Sequence, residues 1–155
     1  MELPTPSPLN RYLPWLKAAG IPLPQPLYFL MFGDEPRLVR ELGELVAYGP
    51  KRATTSLPAA WTSLGEALPS VGDVYLVHDW EGEPLALVQN TRVELMPLGA
   101  VDEAYARDEG EGDGSLASWR EAHWAYFSRE APRLGVTLSW DTLVVCQRFR
   151  RLFPV

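Results

Sequence analysis

Apolar positions recur most regularly between Gly33 and Gly49. Leu38, Val39, Leu42, Leu45 and Val46 fall at the spacing of one buried helical stripe, with Arg37, Arg40, Glu41 and Glu44 on the opposite side. Asp34 suits the N-cap and Pro36 the first turn. Gly49 and Pro50 end this helix, the glycine by accepting a left-handed backbone and the proline by refusing continuation. "RATTS", residues 52–56, reads as a short strand, and a loop with room for one helical turn follows. From Asp73 the period changes to two. Val74, Leu76 and His78 alternate with Tyr75, Val77 and Asp79, "EGEP" makes a turn, and Leu85, Leu87, Gln89, Thr91, Val93 and Leu95 mark a long second strand. A short helix then runs into the acidic glycine-rich loop "GEGDG". Residues 115–135 form a second long helix, capped by Ser115 or Ser118, with Ser118 and Glu121 spaced as a capping box. Leu116, Trp119, Tyr126 and Phe127 are its apolar face, and "TLVVCQRFRRLF" closes the chain as a strand.

The first 26 residues follow no such period. Pro4, Pro6, Pro8, Pro14, Pro22, Pro24 and Pro26 predict an extended arm, with one helical turn around Trp15 and Leu16. Leu13, Trp15 and Leu16 would pack this arm on the remaining domain, residues 27–155. The order of elements predicts an α+β fold: a small closed or nearly closed β-barrel with helices packed outside. A doubly wound nucleotide-binding sheet is not expected, because "GEGDG" follows no strand and its acidic residues would repel phosphate.

Composition narrows the partners. The chain has 155 residues, enough for one core, and no apolar run of membrane-spanning length. Its start has neither a basic segment nor an apolar run, so a cytoplasmic protein without a secretory signal is expected. The lone Cys146 excludes an internal disulfide and a multi-cysteine zinc site, and the two histidines stand in no carboxylate pattern that would suggest a metal. Nothing in the sequence calls for a cofactor. A net charge of −6 argues against nonspecific binding to duplex nucleic acid. The charge is uneven, however. Lys51 and Arg52 stand at a turn just ahead of Thr54 and Thr55, and the closing strand carries Arg148, Arg150 and Arg151.

Four segments carry a family resemblance. "FGDEPRLVRELGELVAYGPKRATTSL", "VGDVYLVHDWEGEPLALVQNTRVELMPL", "EGEGDGSLASWREAHWAYFSRE" and "VVCQRF", in that order, resemble the ASCH domain family, whose small barrel is similar to that of the PUA domain. The resemblance covers about residues 29–155 and leaves out the Pro-rich arm. The family's G-x-K-x-x-T marker is met by Gly49, Lys51 and Thr54. The resemblance implies one of two activities: cleavage of single-stranded RNA, or an amidohydrolase reaction that deacylates modified cytidine. The second would use Lys51, Thr54 and a downstream glutamate that aligns with Glu109, with Asp108 and Glu111 close by.

Each activity makes demands on the residues. For deacylation, Thr54 needs a base, which a dehydrated Lys51 of lowered pKa would supply, and Glu109 would protonate the leaving amine. In an ideal strand Lys51 and Thr54 point to opposite faces, so a turn or bulge must lie between them. For RNA, Gly49, Lys51 and Arg52 would meet phosphate and Arg148, Arg150 and Arg151 would extend the track, Arg148 and Arg150 on one face of the strand and Arg151 on the other. Trp61, Trp80 or Tyr126 would stack a base, His123 or Lys51 would take the 2′-hydroxyl proton, and Ser128 would be a nearby polar partner. A third possibility is a binding module for a modified base, without turnover. Single-stranded RNA, a nucleoside or a nucleotide is therefore the expected partner.

Overall fold

The computed structural model describes residues 8–22, 24 and 26–155. Five helices and five strands follow in the order α1 (Pro8–Ala19), β1 (Leu27–Leu30), α2 (Pro36–Tyr48), β2 (Ala53–Ser56), α3 (Pro58–Thr62), β3 (Val74–His78), β4 (Pro84–Pro97), α4 (Glu103–Glu109), α5 (Leu116–Glu130) and β5 (Leu143–Phe153). The strands make one sheet in the order β1-β3-β4-β5-β2, with β1 parallel to β3 and all other neighbours antiparallel.

The expected barrel does not close. β4 and β5 pair from Leu87 opposite Phe153 to Pro97 opposite Leu143, and register shifts near Leu87 and Asn90 mark bulges in that ladder. Bulges strengthen the local twist and curl a sheet. Yet the two edge strands, β1 and β2, have four residues each and do not pair with one another. Between them lies a cavity, walled on one side by Leu30, Met31 and Phe32 and on the other by Thr54, Thr55 and Ser56. The unpaired seam of the sheet is thus where the site is built.

Both faces of β3 are buried, and alternation sorts its residues into two cores. Val74 and Leu76 join Leu87 with Tyr12 and Leu16 of α1. Tyr75 and Val77 join Ala86 and Val88 with Val46 and Ala47 of α2. A third cluster gathers Ala53, Tyr105, Trp119, Phe127, Val144 and Cys146 around α4 and α5. Cys146 is buried and unpaired, a small core side chain whose thiol burial pushes up to about 12.

Residues 8–19 are a helix, where the proline content suggested an arm with a single turn. Pro14 lies inside α1, a position that removes an N–H donor and crowds the preceding turn. Tertiary contacts offset that cost: Tyr12 donates to the Gly82 carbonyl at 2.6 Å, Arg11 to Glu81 and Glu83, and Trp15 meets Phe153 edge-on. The expectation of an extended start at residues 1–7 lies outside the described residues. β1 was not legible either, since three half-buried residues followed by the buried Leu30 show no alternation.

Helix ends differ in detail from their sequence signals. Glu35, not Asp34, caps α2 by accepting from the Leu38 and Arg37 amides, while Asp34 pairs with Arg129 of α5 at 2.9 Å. Ser115 caps α5 alone, and Ser118 lies inside that helix. Gly49 is extended, at φ −123°, so a left-handed backbone is not what requires it. A Cβ there would stand 3.0 Å from the Leu45 carbonyl oxygen, and this close approach favours glycine.

Gly110 matters most to the site. It ends α4 at φ +68°, and a Cβ there would come within 3.0 Å of the Lys51 backbone. The α4 terminus is pressed against residue 51 at a distance only glycine allows. Gly110→Ala combines a left-handed backbone with a backbone clash and should cost about 1–3 kcal/mol. Urea unfolding of the wild type and variant checks it.

Candidate functional site

Lys51 begins the extended segment that leads from α2 into β2. Its amide donates to the Leu45 carbonyl, and the next amide, Arg52, donates to Asp108 of α4. These bonds aim the side chain inward, where only 1% of the residue is exposed. The ammonium donates to the Ala53 carbonyl at 2.7 Å, to Glu111 Oε2 at 2.9 Å and to Glu109 Oε1 at 3.3 Å. Its three protons are therefore committed. The Phe32 ring lies 5.3 Å away, a cation–π distance.

Glu109, the last residue of α4, is 2% exposed rather than a loop carboxylate in water. Four donors converge on it. Lys51 and His123 Nε2 (2.9 Å) meet Oε1; Thr55 Oγ1 (2.8 Å) and the Trp119 indole N–H meet Oε2. α5 supplies two of the four, Trp119 and His123, one turn apart, with their rings stacked at 4.0 Å. His123 Nδ1 lies 2.8 Å from the Trp119 carbonyl, which only accepts, so Nδ1 carries a proton. The Nε2 contact with a carboxylate then requires an imidazolium, given an ionised Glu109.

Protonation follows from this geometry. Burial alone would raise the Glu109 pKa, but His123 and Lys51 together hold it well below the ordinary carboxylate range. Burial alone would lower Lys51, but Glu109 and Glu111 hold it above its usual value. His123 is likewise raised: Glu109 outweighs the burial that opposes it. Partly exposed Glu111 is raised, by burial first, against the pull of Lys51. The lowered pKa that would make Lys51 a base is thus reversed, because two carboxylates face it.

The cavity over this cluster measures about 180 Å³. Leu30, Phe32, Leu38, Leu42, Trp61 and Tyr126 make its apolar walls; Lys51, Glu109, Glu111 and His123 are charged or polar lining, and Arg129 and Glu130 line it as well. Of the residues singled out in the sequence, Lys51, Thr54, Glu109, Tyr126, Trp61 and His123 meet here. The phosphate track does not. Arg52 donates to the Val46, Gly49 and Lys51 carbonyls, and Arg151 to Val46 and Ala47, so both close the C-terminal end of α2. Arg148 pairs with Asp108 at 3.0 Å and Glu94 at 3.6 Å, and Arg150 binds Gln89. Gly49 and Ser128 do not line the cavity, and Trp80 is exposed.

Thr55 is the residue that sequence reasoning passed over. Among the described residues Thr54 makes no side-chain hydrogen bond, although its carbonyl accepts from Tyr105; Thr55 meets both Tyr105 and Glu109. The signal was available: Lys51, Ala53 and Thr55 share a face at period two. Glu109, Glu111 and His123 also bring donor atoms within 4.8 Å of one another, a metal-like grouping. Lys51 already bridges its two carboxylates, so a metal ion there would have to displace the ammonium.

A family model described as the ASCH domain matches residues 28–152. The chain belongs to the ASCH domain family. Two solved structures agree with this. The crystal structure of an ASCH domain from Lactobacillus crispatus JV V101 is 35% identical, with a TM-score of 0.75, over 81% of this chain and 79% of that one. A protein from Enterococcus faecalis V583 is 31% identical at the same TM-score, over 92% of this chain and 87% of its own. None of the curated proteins compared with the chain matches it. In this ASCH domain the marker residues Gly49, Lys51 and Thr54 have separate duties: the first packs, the second anchors a buried ion network, and the third lines the cavity.

The raised histidine fixes a pH dependence. A group whose folded pKa exceeds its unfolded value stabilises fully below the unfolded value and loses that contribution as pH rises through the folded one. Stability should therefore decline upward from about pH 6.5, the unfolded histidine value, as His123 deprotonates. Urea unfolding between pH 6 and 9 should show this slope in the wild type and a flatter one in His123→Gln.

Proposed function

We propose that this ASCH domain binds a single unstacked nucleobase, presented by a nucleoside, a nucleotide or single-stranded RNA. The observation that carries the reading is the cavity at the seam between β1 and β2, with Phe32, Trp61 and Tyr126 in its walls and charged groups in its lining. A cavity of about 150 Å³ accommodates benzene, so about 180 Å³ suits one planar ring rather than a larger ligand. Aromatic walls are how proteins hold unstacked bases. The arginines are engaged within the protein and the net charge is −6, so recognition rests on the base more than on the backbone. Strand cleavage is less well supported. Lys51 gives its protons to Ala53, Glu109 and Glu111, and both ring nitrogens of His123 are engaged by Trp119 and Glu109, so neither is free to take a 2′-hydroxyl proton.

Calorimetric titration with free nucleosides and a short single-stranded RNA tests this. One nucleoside should bind per chain, and Tyr126→Ala should weaken it roughly tenfold, in line with the loss of one stacking contact. Weak salt dependence is expected. A steep salt slope with RNA and no nucleoside binding would contradict the reading.

A second reading, deacylation of an acylated nucleoside, is favoured by one contact: the Thr55 hydroxyl donates to Glu109 beside the Lys51 ammonium. Here Glu109 would accept the threonine proton and Lys51 would steady the oxyanion, the reverse of the roles the sequence suggested. With acyl-cytidine as substrate, Thr55→Val should lower kcat about a hundredfold or more. Loss confined to Thr54→Val would return the nucleophile to the marker threonine.

A further inference from the structure

Glu111 is held less firmly than any other member of the ion network. Glu109 beside it accepts from four donors and is 2% exposed. The Glu111 carboxylate has one hydrogen bond among the described residues, from the Lys51 ammonium at 2.9 Å, and its side chain is 24% exposed. It also lies close to a second negative charge, since the ligand atoms of Glu109, Glu111 and His123 fall within 4.8 Å of one another. Burial and Glu109 both raise the Glu111 pKa, against the pull of Lys51.

Lys51 itself has no spare proton and no open side. Its ammonium is enclosed by Ala53, Glu109 and Glu111, so a ligand reaches it only by taking the place of one of them. The Ala53 carbonyl is main chain of β2, and three further donors fix Glu109. Glu111 is the partner that can leave: part of its side chain already meets water, and rotation about its own side-chain bonds takes the carboxylate there.

A neutral group in the vacated place would leave the ammonium with one anionic partner instead of two. An entering carboxylate keeps the balance, one anion for another against the same Lys51, Glu109 and His123. Carboxylates only accept hydrogen bonds. Thr54 and Ser56 line the same cavity, and among the described residues neither hydroxyl donates to a protein acceptor. Phe32, Trp61 and Tyr126 in the walls suit a ring, and all four members of the network border the cavity. Ring and carboxylate would thus be held together, the ring in the cavity of about 180 Å³ and the anion where Glu111 had been.

We propose that Glu111 is a displaceable carboxylate, and that the cavity takes a planar aromatic carboxylate whose anion exchanges with Glu111 at the Lys51 ammonium. This ligand class goes beyond a neutral nucleobase, and the exchange does not depend on base recognition.

Calorimetric titration of the full chain with benzoate and its neutral counterpart benzamide tests the exchange. Glu111→Gln, whose amide competes less well for the ammonium, should bind benzoate roughly tenfold or more tightly than the wild type does. Benzamide has no charge to exchange and should change by less than about threefold. Asp113→Asn removes the same charge from the same loop, outside the cavity, and should leave benzoate within about twofold of the wild type. In the wild type, saturating benzoate should shift the 15N ammonium signal of Lys51 and leave it slowly exchanging, a readout that needs no variant. Benzoate affinity that Glu111→Gln leaves unchanged, or that Asp113→Asn raises equally, would overturn the inference. So would an unshifted Lys51 signal at saturating benzoate, or no benzoate binding at all. The expected benzoate results with no nucleoside binding would support the exchange and sink the nucleobase reading alone.

Discussion

The ion network of Lys51, Glu109, Glu111 and His123 is the constraint around which the rest is arranged. A buried ammonium or carboxylate is costly to dehydrate, and the cost is offset only when partners saturate it. Glu109 accepts four hydrogen bonds, and Lys51 gives all its protons to protein oxygens. The partners come from five parts of the chain: the segment before β2, β2 itself, the end of α4, the glycine-rich loop and α5. The network therefore does more than neutralise charge. It ties the edge strand β2 to the two helices that cover it, and it sits where the sheet fails to close.

That failure to close has a functional meaning. A complete barrel would pair β1 with β2 and fill the seam with backbone hydrogen bonds. Here the seam is short on both sides and holds a cavity with apolar walls and charged groups in its lining. A planar ligand entering it would exchange water for aromatic and aliphatic contact on its faces while its edge met fixed polar groups. Buried polar networks of this kind are rigid when satisfied, which suits selection by hydrogen-bond pattern. Among the described residues, Gln147 Oε1 is the one buried side-chain polar atom without a hydrogen-bond partner.

Much of this was legible in the chain. The stripe from Leu38 to Val46, the hairpin from Val74, the helix through Trp119 and the closing strand are strongly periodic, and all four appear, although the helix through Trp119 ends at Glu130 and gives way to a tighter turn over Ala131–Leu134. The marker residues and Glu109 were legible from family resemblance, and the structure brings Lys51, Thr54 and Glu109 to one cavity. What was not legible depends on long-range contacts. α1 survives Pro14 because Tyr12 and Leu16 find a core built 60 or so residues later. The arginines of β5 looked like a phosphate track because no local signal reveals that Asp108, Glu94 and the end of α2 would claim them. The protonation of Lys51 was misjudged because burial was foreseen and the second carboxylate facing it was not.

Everything proposed for the cavity depends on Lys51 being a charged, fully hydrogen-bonded group at its base. Side-chain NMR of the 15N-labelled ammonium of Lys51 measures this directly. The account predicts a resolved, slowly exchanging NH3+ signal that persists as pH rises past 10.5, the ordinary lysine value. Deprotonation of Lys51 near neutral pH, or a freely exchanging ammonium in water, would contradict it.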